Sequence, residues 1–374
     1  MALMFILLLL HAYIGWRLIP ALAFAPALQW ALAALLLVSW LLIPMALMAR
    51  RIRRQPLSDR LAWTGVLLMG LFSSLFVLTL LRDLLSLPVW IASHWLGVPL
   101  WLAPASALAV PLLAGLFTLW GYVNARRVAR VVRVDVPITG LPQALHGFSI
   151  AQISDVHVGP TIKRGYLQAI VERVNALQAD MVAVTGDLVD GSVQHLAVHV
   201  APLAALQSRH GTFFVTGNHE YYSGAQAWVD ELRRLGLRVL MNEHVLLQHG
   251  DAALALAGVA DYSAHNFDAT HRSDPHAAIA GAPEEARVRV LLAHQPRSAP
   301  TAAAAGFHLQ ISGHTHGGQS LPWKWFVRLQ QPFTAGLNRW QDLWVYTSRG
   351  TGYWGPPKRL GAPSEITHLR LVAA

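Results

Sequence analysis

Four apolar stretches crowd the first third of this chain, and no other feature limits its fold as strongly. They run from about Ala2 to Trp16, Ala27 to Ala49, Leu61 to Leu81 and Val98 to Tyr122. Each approaches the roughly 20 residues that a helix needs to cross a bilayer. The first is the shortest and sits where a secretory signal would. It lacks a basic leading region and a clear small-residue cleavage site, so it reads as a retained helix.

Charge supports the membrane reading. Only 13% of the 374 residues are charged, against about 25% in ordinary globular chains. Eleven Arg, no Lys and two acids, Asp59 and Asp83, precede Val134, while basic and acidic residues balance after it. The whole net charge of +9 therefore belongs to the first third. Charge that flanks apolar segments is membrane topology, so no nucleic-acid partner is expected despite the high pI.

The link between the second and third stretches holds Arg50, Arg51, Arg53, Arg54 and Arg60, and the link after the third holds only Arg82 and Asp83. Arg126, Arg127, Arg130 and Arg133 come after the fourth. Two basic loops separated by two spans belong on one side, the cytoplasmic one. Both termini and the rest of the chain are expected there. No stretch carries a buried acid or a Lys, which favours an anchor over a transport path. Trp30, Trp40, Trp63, Trp90, Trp95, Trp101 and Trp120 lie mostly near span ends, as interfacial aromatics do.

Hydropathy falls after Arg133, and the turn-rich Asp135 to Leu145 opens a second region. The expected division is residues 1–134 as a four-helix anchor and 135–374 as an α/β domain without a repeat. Strands are predicted over Phe148 to Ile153, Met181 to Val184, Thr212 to Val215, Val288 to Leu292, Phe307 to Ile311 and Leu343 to Tyr346. Leu167, Ile170, Val171, Val174 and Leu177 recur at helical spacing, and Ala225 to Leu235 reads as a helix.

The residues just past the strands are the informative ones. Ile153 leads to Ser154-Asp155-Val156-His157, and Val184 to Thr185-Gly186-Asp187-Leu188-Val189-Asp190. Val215 leads to Thr216-Gly217-Asn218-His219-Glu220, Leu292 to Ala293-His294, and Ile311 to Ser312-Gly313-His314-Thr315-His316. In an open α/β sheet, loops at strand ends converge on one ligand-binding edge. The chain has no cysteine, so any metal must sit on His, Asn and carboxylates. Such donors suit Mn, Fe, Zn or similar ions. In Asp155-x-His157 and His314-x-His316, alternate residues of an extended chain would point the same way. Gly186, Gly217 and Gly313 remove bulk where backbone passes close to ions. A carboxylate such as Asp187 can bridge two cations, and two cations about 3.5–4 Å apart can clamp a phosphate and generate a hydroxide nucleophile. Each motif alone is common in ordinary loops. Their joint order, each after an apolar strand, is not.

This order over Phe148 to Gly318 resembles the calcineurin-like metallophosphoesterase superfamily. The resemblance implies two packed mixed β-sheets flanked by helices. It implies that Asp155, His157 and His316 hold one metal, that Asn218, His294 and His314 hold a second, and that Asp187 bridges them. It also implies that His219 faces the phosphate, stabilising developing charge or protonating the leaving oxygen as a general acid. Ser154 to Gly159 and the tail Gly352 to Gly361 look like bacterial membrane-associated phosphodiesterases of this superfamily, some of which resemble UDP-2,3-diacylglucosamine pyrophosphatases. The implied activity is hydrolysis of a phosphodiester or pyrophosphate at the bacterial inner membrane, on a lipid-linked substrate by analogy. A non-catalytic scaffold would be expected to have lost a ligand or His219, and all are present.

The Trp323, Trp325, Phe326, Arg328 segment could lie against a bilayer, since Trp and Arg combine apolar bodies with polar tips. Packing into the domain's own core, or into its contact with the spans, is the competing expectation. Arg349 and Arg359 are candidate phosphate contacts, with a salt bridge on the domain surface as the equal alternative. Glu220, Tyr221 and Tyr222 are expected to shape the pocket beside His219, and Asp190 to orient the Asp187 loop. His195, His199, His210 and His308 read as ordinary.

Overall fold

The computed structural model describes residues 2–23, 25–49, 52, 54–96 and 102–374. Arg50, Arg51, Arg53, Val98 and Trp101, which bear on the expected topology, lie outside the described residues, as does the side chain of Trp90. The chain forms two compact units: Met1–Asn124 with Gly355–Lys358, and Ala125–Trp354 with Arg359–Ala374.

The first unit contains α1 (Ala2–Leu18), α2 (Pro26–Met48), α3 (Leu57–Leu96) and most of α4 (Leu102–Arg126). Among the described residues, four helices are long and apolar enough to cross a membrane. They share an apolar interior that includes Ile14, Leu18, Leu36, Phe72, Leu75 and Ala114. His11 is buried there, its Nε2 3.0 Å from Ser39 Oγ and its ring stacked on Phe72. The expected loop at Arg82 and Asp83 is instead the middle of α3. Helix continues past Leu81 because Asp83 finds its partners in α1. Arg17 donates to both carboxylate oxygens, at 2.7 and 2.9 Å, and Tyr13 donates at 2.7 Å. The unit thus holds a mostly buried acid after all, paired with Arg17.

The second unit is a sandwich of two six-stranded mixed sheets. One has the order β1 (Arg130–Ile138), β12 (Glu365–Ala373), β2 (Ser149–Ile153), β3 (Met181–Val184), β4 (Thr212–Phe214) and β5 (Arg238–Val239). The other has β10 (Gly336–Trp340), β11 (Leu343–Thr347), β9 (Leu309–Ser312), β8 (Val288–Leu292), β7 (Ala252–Gly258) and β6 (Glu243–His249). Strands β2 to β5 are parallel to one another, as are β7, β8, β9 and β11.

Successive residues of a strand face opposite sides, and here both sides are covered. Ile150, Met181 and Ala183 point into the core between the sheets with Leu256, Val290 and Ile311. Ala151, Val182 and Val184 point outward, against α5 (Arg164–Asn175), α6 (Val193–Val200) and α7 (Ala225–Arg234). The second sheet's outer face is covered by α8 (Pro275–Ile279) and α9 (Ala299–Ala304). Strands buried on both faces read as continuous apolar runs, which is why β2, β3 and β8 stand out in the sequence. The division expected at 134/135 falls inside β1. Arg130 and Arg133, read as a juxtamembrane flank, belong to this edge strand, where Pro137 removes no ladder donor that a central strand would need.

Candidate metal centre

All five motif loops leave the C-terminal ends of β2, β3, β4, β8 and β9, and their side chains meet. Asp155, His157, Asp187, Asn218, His294 and His316 are buried, and His314 is partly so. His157 Nε2 lies 3.0 Å from His316 Nε2, which lies 3.5 Å from Asp155 Oδ1. His294 Nε2 lies 3.3 Å from His314 Nδ1 and 3.1 Å from Asp187 Oδ2. Asp187 Oδ2 is also 4.0 Å from His157 Nε2. Among the described residues, Asp155 with His157 and His316, and Asp187 with His294 and His314, are each compact enough for one ion, and His157, Asp190 and His219 form a third such group that shares His157.

The backbone reaches this arrangement differently from the extended chain expected. Asp155, His157, Asp187, His314 and His316 have φ of 55°, 55°, 50°, 70° and 51°. Non-glycine residues rarely adopt this left-handed region, and clusters of them mark functional loops. The side chains converge through these kinks just beyond the strand ends. Gly186, Gly217 and Gly313 are all needed for close approach, a Cβ on Gly186 falling 2.8 Å from His294 Nδ1. A Cβ on Gly313 would come within 2.2 Å of Asp155 Oδ2, and one on Gly217 within 2.2 Å of Asp187 Oδ1.

Hydrogen bonds orient the rings. His294 Nδ1 is 2.7 Å from Thr185 O, so it donates there and leaves Nε2 as the ring atom that faces the cluster. Asp190 Oδ1 lies 3.2 Å from His157 Nδ1 and 2.5 Å from His219 Nδ1. Burial, helped by His294, pushes His314 down to about 3. Burial, with the charge of Arg359, holds His316 well below the ordinary imidazole range. Both stay neutral, the form that binds metal. Burial also pulls His219 down, but the Asp190 hydrogen bond and the charges of Asp187, Asp190 and Glu220 outweigh it and raise the ring to about 9. The donor set fits divalent cations. Asn218 Oδ1 is buried without a hydrogen-bond partner, a costly state that a cation would relieve.

Several nominated residues take other places. Glu220 does not line a pocket. It is wholly buried, and its carboxylate accepts backbone N–H groups of Gly217, Asp187, Leu188 and Val189 at 2.7–3.3 Å. It ties the Asp187 loop to the Asn218 loop. Arg359 is buried too, not poised for phosphate. It donates to the carbonyls of His316, Arg349 and Ala362, and its Nη2 is 3.0 Å from His316 Nδ1. Arg349 pairs with Glu365 at 2.6 Å while remaining about a third exposed. Trp323 and Trp325 are 42% and 66% exposed, outside the domain core. Their short helix packs close to the His316 loop, because a Cβ on Gly318 would fall 2.0 Å from Lys324 Cα. Asp190 acts on two imidazoles as well as on the loop. Trp354, which sequence reasoning placed only within the tail motif, lies 6.0 Å from the His219 ring, and Tyr222 lies 5.2 Å from it.

A family profile described as calcineurin-like phosphoesterase matches residues 148–318. The chain is 40% identical over 284 residues to a "Transmembrane protein with metallophosphoesterase domain" of Bos taurus, covering 73% of this chain and 64% of that one. The protein of the same description in Danio rerio is 36% identical over 271 residues, covering 70% and 62%. A metallophosphoesterase of Aquifex aeolicus described as uncharacterized is 30% identical over 239 residues, covering 63% of this chain and 89% of its own. The chain belongs to the calcineurin-like metallophosphoesterase family. With its four apolar helices and its transmembrane relatives, it is an integral membrane protein. The match spans less than two thirds of the length of the two vertebrate relatives.

Proposed function

We propose that the protein is a dinuclear metal-dependent phosphoesterase that hydrolyses a phosphodiester or pyrophosphate bond. The observation that carries this reading is Asp187 Oδ2, 4.0 Å from His157 Nε2 and 3.1 Å from His294 Nε2, one carboxylate oxygen within reach of two donor groups. Asp155, His157 and His316 would hold one cation, Asn218, His294 and His314 the other, with Asp187 between. Nitrogen and oxygen donors without sulfur suit Mn, Fe or Zn. When bound, two such cations polarise phosphoryl oxygens and activate water. The chain's own groups do the rest. With Nδ1 of His219 fixed on Asp190, Nε2 is the atom left to meet a substrate oxygen. Cations nearby would offset the pull of Asp187 on this ring, but the direct Asp190 contact would still favour the protonated form, which can give a proton to the leaving oxygen.

A lipid-linked substrate, with UDP-2,3-diacylglucosamine as the analogy, is supported by position. Leu321, Trp323, Trp325, Phe326 and Leu329 are exposed on the segment just after the His316 loop. Contiguous exposed apolar side chains mark surfaces made for contact. The basic residues Arg54, just before α3, and Arg60 in its first turn, with Arg126 and Arg127 at the end of α4, support a cytoplasmic placement of the site at a bacterial inner membrane.

Full-length protein in detergent with Mn²⁺ is expected to cleave bis(p-nitrophenyl) phosphate, and removal of the metal by chelator to abolish cleavage until Mn²⁺ is restored. Asp187→Ala and His219→Ala should each lower turnover at least about 10²-fold. Full activity in both variants refutes the assignment. A screen of lipid-linked diphosphates, nucleotide-linked lipids and soluble nucleotides tests the substrate class, and a reporter fused to the C-terminus tests sidedness.

A further inference from the structure

Exposed aromatic side chains gather around His219. Its own side chain keeps 15% exposure, so part of the imidazole is open to solvent. Tyr222, on the same short helix Asn218–Ser223, stands 5.2 Å from that ring at 66°. Trp354, from the C-terminal tail, stands 6.0 Å from it at 78°. Both rings are steep to the imidazole, so neither lies flat over it. Each meets His219 from its own direction, since the two rings make no contact with each other. Tyr222 and Trp354 are 56% and 54% exposed.

Both rings are held in place. Gln319, just past the His316 loop, accepts from Trp354 N at 2.9 Å and donates to Trp354 O at 2.7 Å. Phe267, which is also exposed, backs Tyr222 at 5.5 Å. Tyr221 backs Phe267 at 5.7 Å, and its hydroxyl is anchored 3.0 Å from His271 Nδ1. A single exposed aromatic needs no explanation. Here three come from segments remote in the chain: the Asn218 loop, the stretch after β7, and the tail.

Their position relative to His219 gives them a role. With Nδ1 fixed on Asp190, Nε2 is the atom that meets the leaving oxygen. The group carried by that oxygen therefore enters beside Tyr222 and Trp354. A saturated chain would gain only apolar contact there, whereas a flat ring also gains offset-stacked or edge-to-face contacts. The segment around Trp323 mixes aromatic with aliphatic side chains. The wall beside His219 is made of rings.

We propose that Tyr222, Phe267 and Trp354 form the leaving-group subsite of the centre and that this subsite takes a planar aromatic ring. The inference rests on the phosphoesterase reading above and adds a substrate class, a phosphate ester whose departing half carries a flat ring near the scissile bond. An aryl group and a nucleobase share this chemistry.

The test measures competitive inhibition of Mn²⁺-dependent bis(p-nitrophenyl) phosphate cleavage by full-length protein in detergent. Two matched pairs of inhibitors are used. Phenylphosphonate and cyclohexylphosphonate differ in having a flat or a puckered ring. Uridine 5′-monophosphate and ribose 5-phosphate differ by the base. For wild type, the flat member of at least one pair should bind about tenfold tighter than its partner. The pair that responds tells an aryl from a nucleoside leaving group. Tyr222→Leu, Phe267→Leu and Trp354→Leu each keep an apolar side chain, and at least the first and last should erase most of the preference. The saturated partners should hold their inhibition constants to within about twofold, because they gain no ring-on-ring contact. No preference in wild type, or a preference that survives all three substitutions, overturns the proposal and leaves the phosphoesterase reading standing. Absence of Mn²⁺-dependent cleavage by wild type overturns that reading, and this one with it.

Discussion

Asp190 Oδ1 and His219 Nδ1 lie 2.5 Å apart, and the same oxygen is 3.2 Å from His157 Nδ1. One carboxylate oxygen thus sets the rotation of a candidate metal ligand and of the candidate acid together. Burial alone would raise Asp190, but its contacts with His157 and His219 hold it below the usual carboxylate range. It therefore stays an acceptor at any physiological pH.

Asp190→Asn keeps the shape and removes that charge. Supporting carboxylates behind metal-bound His typically matter about 10–100-fold. Turnover of a soluble diester should fall by about that factor, and more Mn²⁺ should be needed for half-maximal activity. A Mn²⁺ titration that superimposes on wild type would contradict the role.

Gly313→Ala should disable the centre although Gly313 has no side chain to lose. Its new Cβ would overlap Asp155 Oδ2 and Ser154 Oγ. Overpacking of this kind costs about 1–3 kcal/mol, and moving Asp155 should remove metal binding with it. Gly165→Ala in α5 is the control, since a Cβ there meets nothing within 4 Å. Thermal unfolding and metal content of the two variants should diverge.

Arg359→Lys tests whether the buried guanidinium acts through His316. Arg359 reaches several carbonyls and the His316 ring from one planar fork, and an ammonium is a single point of donors. Each carbonyl left unpaired costs about 1–3 kcal/mol. Stability and Mn²⁺ affinity should fall together. Loss of stability with Mn²⁺ affinity intact would make Arg359 structural only.

Trp323→Ala and Trp325→Ala separate a lipid-linked substrate from a soluble one. Losing an aromatic contact of about 1.4 kcal/mol raises KM about tenfold. That rise is expected with a lipid-linked diphosphate and not with bis(p-nitrophenyl) phosphate. Equal effects on both would sink the lipid reading.

Composition and local pattern made legible an apolar first third, an α/β remainder, the candidate donor residues and the strands that carry them. Those features are local: an apolar run buried on both faces, then Gly, Asp, Asn or His within a few residues. Tertiary structure decided whatever depends on a distant partner. β1 reads as a basic flank because β12, its neighbour, lies over two hundred residues away, where Asp135 meets Arg370. Helix α3 runs through Asp83 because Arg17 of α1 meets the charge. Glu220 and Arg359 look like substrate contacts in sequence, yet each faces backbone from loops remote in the chain. His210 meets His249 only because β6 brings it there. A side chain's type is written at its own position, but the direction it faces is set by which segments pack around it.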